Sequence, residues 1–126
     1  SQDSVGRLFT TEGVMGRIQQ LAADGQPLLS WGSKTVEPGA FGEYQFGSLP
    51  NTFGPIGVLV DHRNRVWVTS LNDRLQCFTA DGRFLFMLEQ TDEEHPFLHP
   101  HGLAEDTLGN IYLLDSGNQR VVKLGW

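Results

Sequence analysis

The chain has 126 residues, enough for one hydrophobic core, and its 39% hydrophobic content excludes a disordered polymer, while 15 glycines and 6 prolines suit a turn-dense all-β chain. Nine Lys and Arg against 15 Asp and Glu give a net charge of −6, and cations spread one or two per strand do not cluster to neutralise phosphates, so a nucleic-acid partner is not expected. The single cysteine excludes a disulfide framework, no apolar run is long enough to cross a membrane and no signal-like N-terminus is seen, so no membrane association is expected and the compartment stays unknown.

From the N-terminus, Gly6 to Leu21 reads as a short strand, a turn and the arginine-led strand Arg17–Leu21, and Asp24-Gly25 then turns the chain into a further strand ending near residue 32. The linker over residues 33–52 is longer than a usual connection and carries Phe41, Tyr44 and Phe46 among glycines, which makes it the favoured contact surface. Four strands follow at Pro55–Asp61, Arg65–Thr69, Arg74–Phe78 and Arg83–Leu88, the last two joined by an Asp81-Gly82 hairpin. After the acidic run Asp92-Glu93-Glu94, read as a solvated loop, three more strands begin near Pro100, Gly109 and Arg120. No window holds a helical period.

These segments are copies of one another. Arg17, Leu21, Asp24, Gly25 and Leu28 meet Arg74, Phe78, Asp81, Gly82 and Leu85 at a constant offset of 57 positions. Pro55, Gly57, Asp61 and Val66 meet Pro100, Gly102, Asp106 and Ile111 at an offset of 45, and one extra turn residue brings Arg74 onto Arg120. A unit of this length belongs to propeller blades rather than to helical solenoids.

The strings Phe53-x-Pro55-x-Gly57-Val58-x-Val60-Asp61 and Gly109-Asn-Ile-Tyr-Leu-Leu-Asp115-Ser-Gly-Asn118-Gln-Arg120, with the Asp-Gly hairpins followed by leucine, resemble the NHL-repeat β-propellers. The likeness covers nearly all of the chain outside the ends and the linker; the first copy departs from it with Glu12 and no asparagine, the second with Ser70 and a shorter turn. It implies an all-β partial propeller of four-stranded antiparallel blades, about two and a half in number, as one unit over 1–126: a blade at about 5–32, the linker 33–52, a blade at about 53–90 and another at about 97–126. With strands lettered A to D from inside outward, the order is B, C, D, then A, B, C, D, then A, B, C. A complete blade thus lies between two incomplete ones, whose open edges call for further blades of a larger chain or for self-association.

Chemistry concentrates in Glu93-Glu94-His95-Pro96-Phe97-Leu98-His99-Pro100-His101-Gly102-Leu103. Neutral imidazoles ligate zinc, and Pro100 favours an extended His99, which would put His99 and His101 on one face of a strand. Pro100-His101-Gly102-Leu103 followed by Gly109-Asn-Ile-Tyr is similar to the metal-binding blade motif of peptidyl-hydroxyglycine amidating lyases, in which several blades each donate one histidine; the second copy here has Ile56 at the place of His101. His101 and His99 are therefore candidate metal ligands or loop- and channel-lining residues of a binding surface shared with Phe41, Tyr44 and Phe46.

Arg17, Arg74 and Arg120 recur beside Glu12, Ser70 and Asp115, where a guanidinium tie from strand B to strand C is expected, with Asp115 and Asn118 shaping the turn. Cys77 reads as a small buried residue, His62 as a surface residue, and Trp31, Trp67, Phe9, Tyr112, Phe84 and Phe86 as packing between blades. Catalytic residues are not identified. The function expected is a protein- or peptide-binding scaffold without a cofactor. The alternative is a metal-dependent lyase resembling the amidating family, which would bring in zinc or calcium.

Overall fold

Strands pair in chain order into three antiparallel sheets of three, four and three. In the computed structural model, which describes residues 1–13, 15–35, 37–42, 54–70, 72–90 and 96–124, the first sheet holds β1 (Leu8–Glu12), β2 (Arg17–Leu21) and β3 (Pro27–Trp31). The second holds β4 (Pro55–Val60), β5 (Arg65–Ser70), β6 (Arg74–Thr79) and β7 (Phe84–Leu88), and the third β8 (Pro100–Glu105), β9 (Ile111–Asp115) and β10 (Arg120–Leu124). This is the B, C, D, then A, B, C, D, then A, B, C order. Ser1 and Phe9 exchange backbone hydrogen bonds at 3.1 and 2.8 Å, so the first residues lie beside β1 as β4 lies beside β5. Among the described residues no helix is long and apolar enough to cross a membrane.

The first turn of each sheet is closed by an aspartate. At the first turn of each sheet an aspartate takes two backbone N–H groups, from the residues two and four positions on: Asp3 from Val5 and Arg7, Asp61 from Arg63 and Arg65, Asp106 from Leu108 and Asn110. The fourth turn residue is left-handed each time, at Gly6 (φ 88), Asn64 (φ 58) and Gly109 (φ 85), a conformation glycine and asparagine tolerate best. An aspartate at this place substitutes for a backbone acceptor, which is why it recurs where the fold needs the same sharp reversal.

Period-two alternation divides the middle sheet between two cores. Val66, Val68 and Phe78 face the first sheet and pack with Phe9, Ile18 and Phe41. Trp67, Leu75 and Cys77 face the third and pack with Ile111, Leu113, Val122 and Phe97. Of the aromatic residues, Phe9 and Trp67 are buried, the Trp31 ring lies 5.7 Å from that of Phe78, and Phe86 meets Trp67 edge-on at 5.4 Å. Burial pushes the Cys77 thiol up to about 12.

Two side-chain hydroxyls tie the sheets near their inner strands. Thr11 donates to the Ile56 carbonyl at 3.1 Å, and Thr69, at the corresponding place in the next sheet, donates to the His101 carbonyl at 2.5 Å. Gln20 adds a bond to the Ala80 carbonyl at 2.7 Å.

Candidate functional site

The alternation of strand direction puts the entries into β4 and β8, the described part of the linker and the β1–β2, β5–β6 and β9–β10 turns at one end of the sheets. The aspartate turns and the Asp-Gly hairpins lie at the other. The described site residues expected from the sequence fall at the first end, and the structure treats them differently.

Phe41 is a correction. It is fully buried, with its ring 5.8 Å from that of Phe78 and its edge against Gly32, so it belongs to the core and not to a contact surface. The linker is drawn down onto the middle sheet by Gln76, a buried amide that takes the Gly39 N–H and donates to the Ala40 carbonyl, both at 2.7 Å. Tyr44, Phe46 and His95 lie outside the described residues.

His99 is a second correction. Instead of extended backbone it takes a left-handed conformation, φ 49, and β8 starts only at Pro100, so His99 and His101 are not alternate residues of one strand. Two neighbouring turns hold it there. Its N–H donates to Asp73 Oδ1 at 2.8 Å, and its carbonyl accepts the Ser116 hydroxyl at 2.6 Å. A residue before proline is disfavoured in this region, and the conformation persists because both backbone groups are pinned. Both imidazoles are half-buried. Among the described residues no three His, Cys, Asp or Glu side chains gather closely enough to hold a metal ion.

The arginines differ from one another. Arg120 Nε donates to Asp115 Oδ2 at 2.7 Å and Arg17 Nε to Glu12 Oε2 at 2.5 Å, each directly across the ladder. Arg74 pairs with Ser70 in register, yet its guanidinium reaches Glu89 at 3.1 Å and the Glu37 carbonyl at 3.3 Å, because a hydroxyl across the ladder offers no charge to attract it. Ser70 bonds Asn72 instead. Asp115 is fully buried; burial pushes its carboxyl up, but hydrogen bonds from Asn118, the Leu98 N–H and Arg120 outweigh this and hold it below the usual carboxylate range. Asn118 also donates to the Pro96 carbonyl at 2.9 Å, fixing the segment that leads into His99. With its oxygens taken by these donors, Asp115 acts as the hub of the turn.

At the opposite end, His62 is exposed, as expected, and it also has a partner. Its ring and its N–H both bond the Glu105 carboxylate of the next sheet, and its ring lies over Gly109, where a Cβ would come within 2.8 Å.

Two features went unread in the sequence: Asp3 completes the aspartate series, and Thr11 and Thr69 form the hydroxyl ties. The outer flank of the third sheet is open among the described residues, as an incomplete blade leads one to expect. There Leu114 is 43% and Val121 66% exposed, whereas Thr69 and Leu75, at the same places in the middle sheet, are fully buried under the third.

Residues 97–124 match the NHL repeat family. No curated protein matches the sequence. Among solved structures, a streptogramin B lyase is similar over 100% of this chain and 39% of its own, with a TM-score of 0.64 and 17% identity. A catalytically inactive histidine-to-alanine form of virginiamycin B lyase from Staphylococcus aureus, with quinupristin, is similar over 100% of this chain and 40% of its own, at a TM-score of 0.58 and 14% identity. The selenomethionine-substituted virginiamycin B lyase from Staphylococcus aureus follows at 98% and 39%, 0.58 and 13%. The chain therefore spans about 40% of the length of these structures, and at such identities the likeness is one of fold. The fold is a partial β-propeller with an NHL repeat in its third blade.

Proposed function

We propose that this partial NHL-type propeller is a binding scaffold whose loop end engages a protein or peptide, and that further blades or self-association complete it. The observation that supports the reading is the pinning of His99 between Asp73 of one blade and Ser116 of the next. Turns from two blades thereby present the His99-Pro100-His101 segment on a rigid frame, which lowers the ordering cost of binding. An extended partner lying across the two blades would meet both half-buried imidazoles.

Selection of peptide binders on the purified chain tests this, with affinities compared across His99→Ala, His101→Ala and, at the opposite end, Arg63→Ala. Binders that lose about tenfold or more with the histidine variants, roughly 1.4 kcal/mol, and nothing with Arg63→Ala support the reading. Binders indifferent to both histidines overturn it.

A second reading, a metal-dependent lyase, draws on the lyase names of the structures above and on the Pro100-His101-Gly102-Leu103 string. It requires His101 to be joined by ligands from outside the described residues. Metal content of the wild-type protein against His101→Ala separates the two: a stoichiometric ion lost in the variant favours the lyase.

A further inference from the structure

We propose that the aspartate-turn end of the sheets docks an extended segment of a partner protein in which a carboxylate side chain lies between two apolar ones at alternate positions. The turns of neighbouring blades are joined there into one arc. The Ser4 N–H donates to Asn64 Oδ1 at 3.0 Å, and Asn64 Nδ2 donates back to the Ser4 hydroxyl at 2.8 Å. One blade on, the His62 N–H donates to the Glu105 carboxylate at 3.0 Å and the His62 ring covers Gly109. Ser4 and His62 each follow the turn aspartate, and Asn64 and Gly109 each hold the fourth place of the next turn, so one contact is used twice.

The third place of each turn carries the recognition pattern. It holds Val5, Arg63 and Leu108 in successive blades. Val5 is 72% and Leu108 85% exposed, the two highest values among the large hydrophobic residues described, and Arg63 is exposed between them. Val5 and Arg63 stay exposed although the turn of a following blade is bonded to each of their turns, so exposure belongs to this place in the turn. Arg7 and Arg65 are committed to Asp3 and Asp61, whereas the Arg63 guanidinium makes no ion pair or hydrogen bond among the described residues. Between His62 and Leu108 the arc is concave, with a recess of about 220 Å³.

An extended chain turns alternate side chains to one face, so three residues out of five can meet the three tips: apolar on Val5, carboxylate on Arg63, apolar on Leu108. The bonds between turns hold the tips in place before binding, which lowers the ordering cost. A protein is favoured over a membrane because Asp24 and Asp81, exposed on the Asp-Gly hairpins of the same end, would face anionic headgroups.

The inference stands apart from the loop-end reading, and His99→Ala and His101→Ala should leave it untouched. The probes are capped pentapeptides with leucine at both ends, serine at the second and fourth positions and glutamate, glutamine or lysine in the centre. Each is titrated into the full chain and followed by amide NMR. The glutamate peptide should shift the turn amides saturably, bind about threefold or more tighter than the glutamine peptide, and lose to the lysine peptide in Arg63→Glu. Leu108→Ser should weaken it while the melting temperature stays unchanged, and Arg83→Glu, a charge reversal on an outer hairpin of the same end, should not. No saturable shift below about 10 mM, an unchanged preference in Arg63→Glu, or equal loss in Arg83→Glu would each overturn the proposal. So would co-sedimentation with phosphatidylcholine vesicles containing phosphatidylserine that Leu108→Ser abolishes, since the tips would then serve a membrane.

Discussion

The Thr69 hydroxyl donates to the His101 carbonyl at 2.5 Å and accepts the Gly57 N–H at 2.9 Å, so a single side chain joins the inner strands of two neighbouring blades. Thr69 is fully buried. Thr69→Val keeps the shape but leaves the N–H of Gly57 and the carbonyl of His101, both half-buried, without this partner, which costs about 1–3 kcal/mol. Thermal unfolding followed by circular dichroism should show a drop of several degrees for Thr69→Val and a smaller one for Thr69→Ser. Equal melting temperatures for wild type and Thr69→Val would remove the hydroxyl from the account.

Gly57 and Gly102 occupy the same place in consecutive blades and differ in what surrounds them. A Cβ on Gly57 would overlap the His101 carbonyl oxygen and come within 2.8 Å of Thr69 Oγ1, whereas one on Gly102 meets nothing within 4 Å. Gly57→Ala should therefore push the blades apart and lower stability by about 1–3 kcal/mol. Gly102→Ala should stay within about 0.5 kcal/mol in the chain alone. Denaturant titration of both variants checks this, and equal effects would contradict it.

Strand order and the two incomplete blades were legible because hydrophobic alternation and the arginine-led strands recur at fixed offsets. Asp3 escaped for a definite reason. The β1–β2 turn is one residue longer than the β5–β6 turn, so residues before it match the middle blade at 58 positions and residues after it at 57. An alignment without gaps on Arg17 and Arg74 puts Asp3 opposite Val60, beside its true counterpart Asp61. His99 was misread because the local rule for a residue before proline was overridden by hydrogen bonds to Asp73 and from Ser116, partners 26 and 17 residues away. Phe41 was misread because a glycine-rich linker with aromatics looks like a recognition loop until Gln76, distant in sequence, is seen to hold it down.

Arg120→Ala should lower stability more than Arg74→Ala. The first strips a donor from the buried Asp115 carboxylate, whereas the second loses a partner, Glu89, whose side chain is 55% exposed and whose pairing is screened by water. A difference of about 1–2 kcal/mol in unfolding free energy is expected. Equal losses would mean that the Asp115 turn is satisfied without its guanidinium.

Acid should unfold the chain through its turn aspartates. Asp3, Asp61, Asp106 and Asp115 are all held below the usual carboxylate range, Asp106 at about 2 by hydrogen bonds from Asn110, the Leu108 N–H and Tyr112 that outweigh desolvation. A carboxyl depressed in the folded state contributes stability above its unfolded value of about 3.9, and that contribution is lost as pH falls toward the folded value. The melting temperature should be level above about pH 5 and fall between about pH 4 and about pH 2. A curve that stays level down to pH 2, measured by calorimetry, would rule out the linkage.

The central claim is that the third blade ends in a flank built to be covered, as the middle blade is covered by the third. Light scattering during size-exclusion chromatography, paired with a thermal melt of the same fractions, tests it most directly. The account predicts an assembly heavier than the 14.0 kDa chain, or a monomer that melts broadly and binds a hydrophobic dye. A 14.0 kDa monomer with a single sharp transition and no dye binding would contradict it.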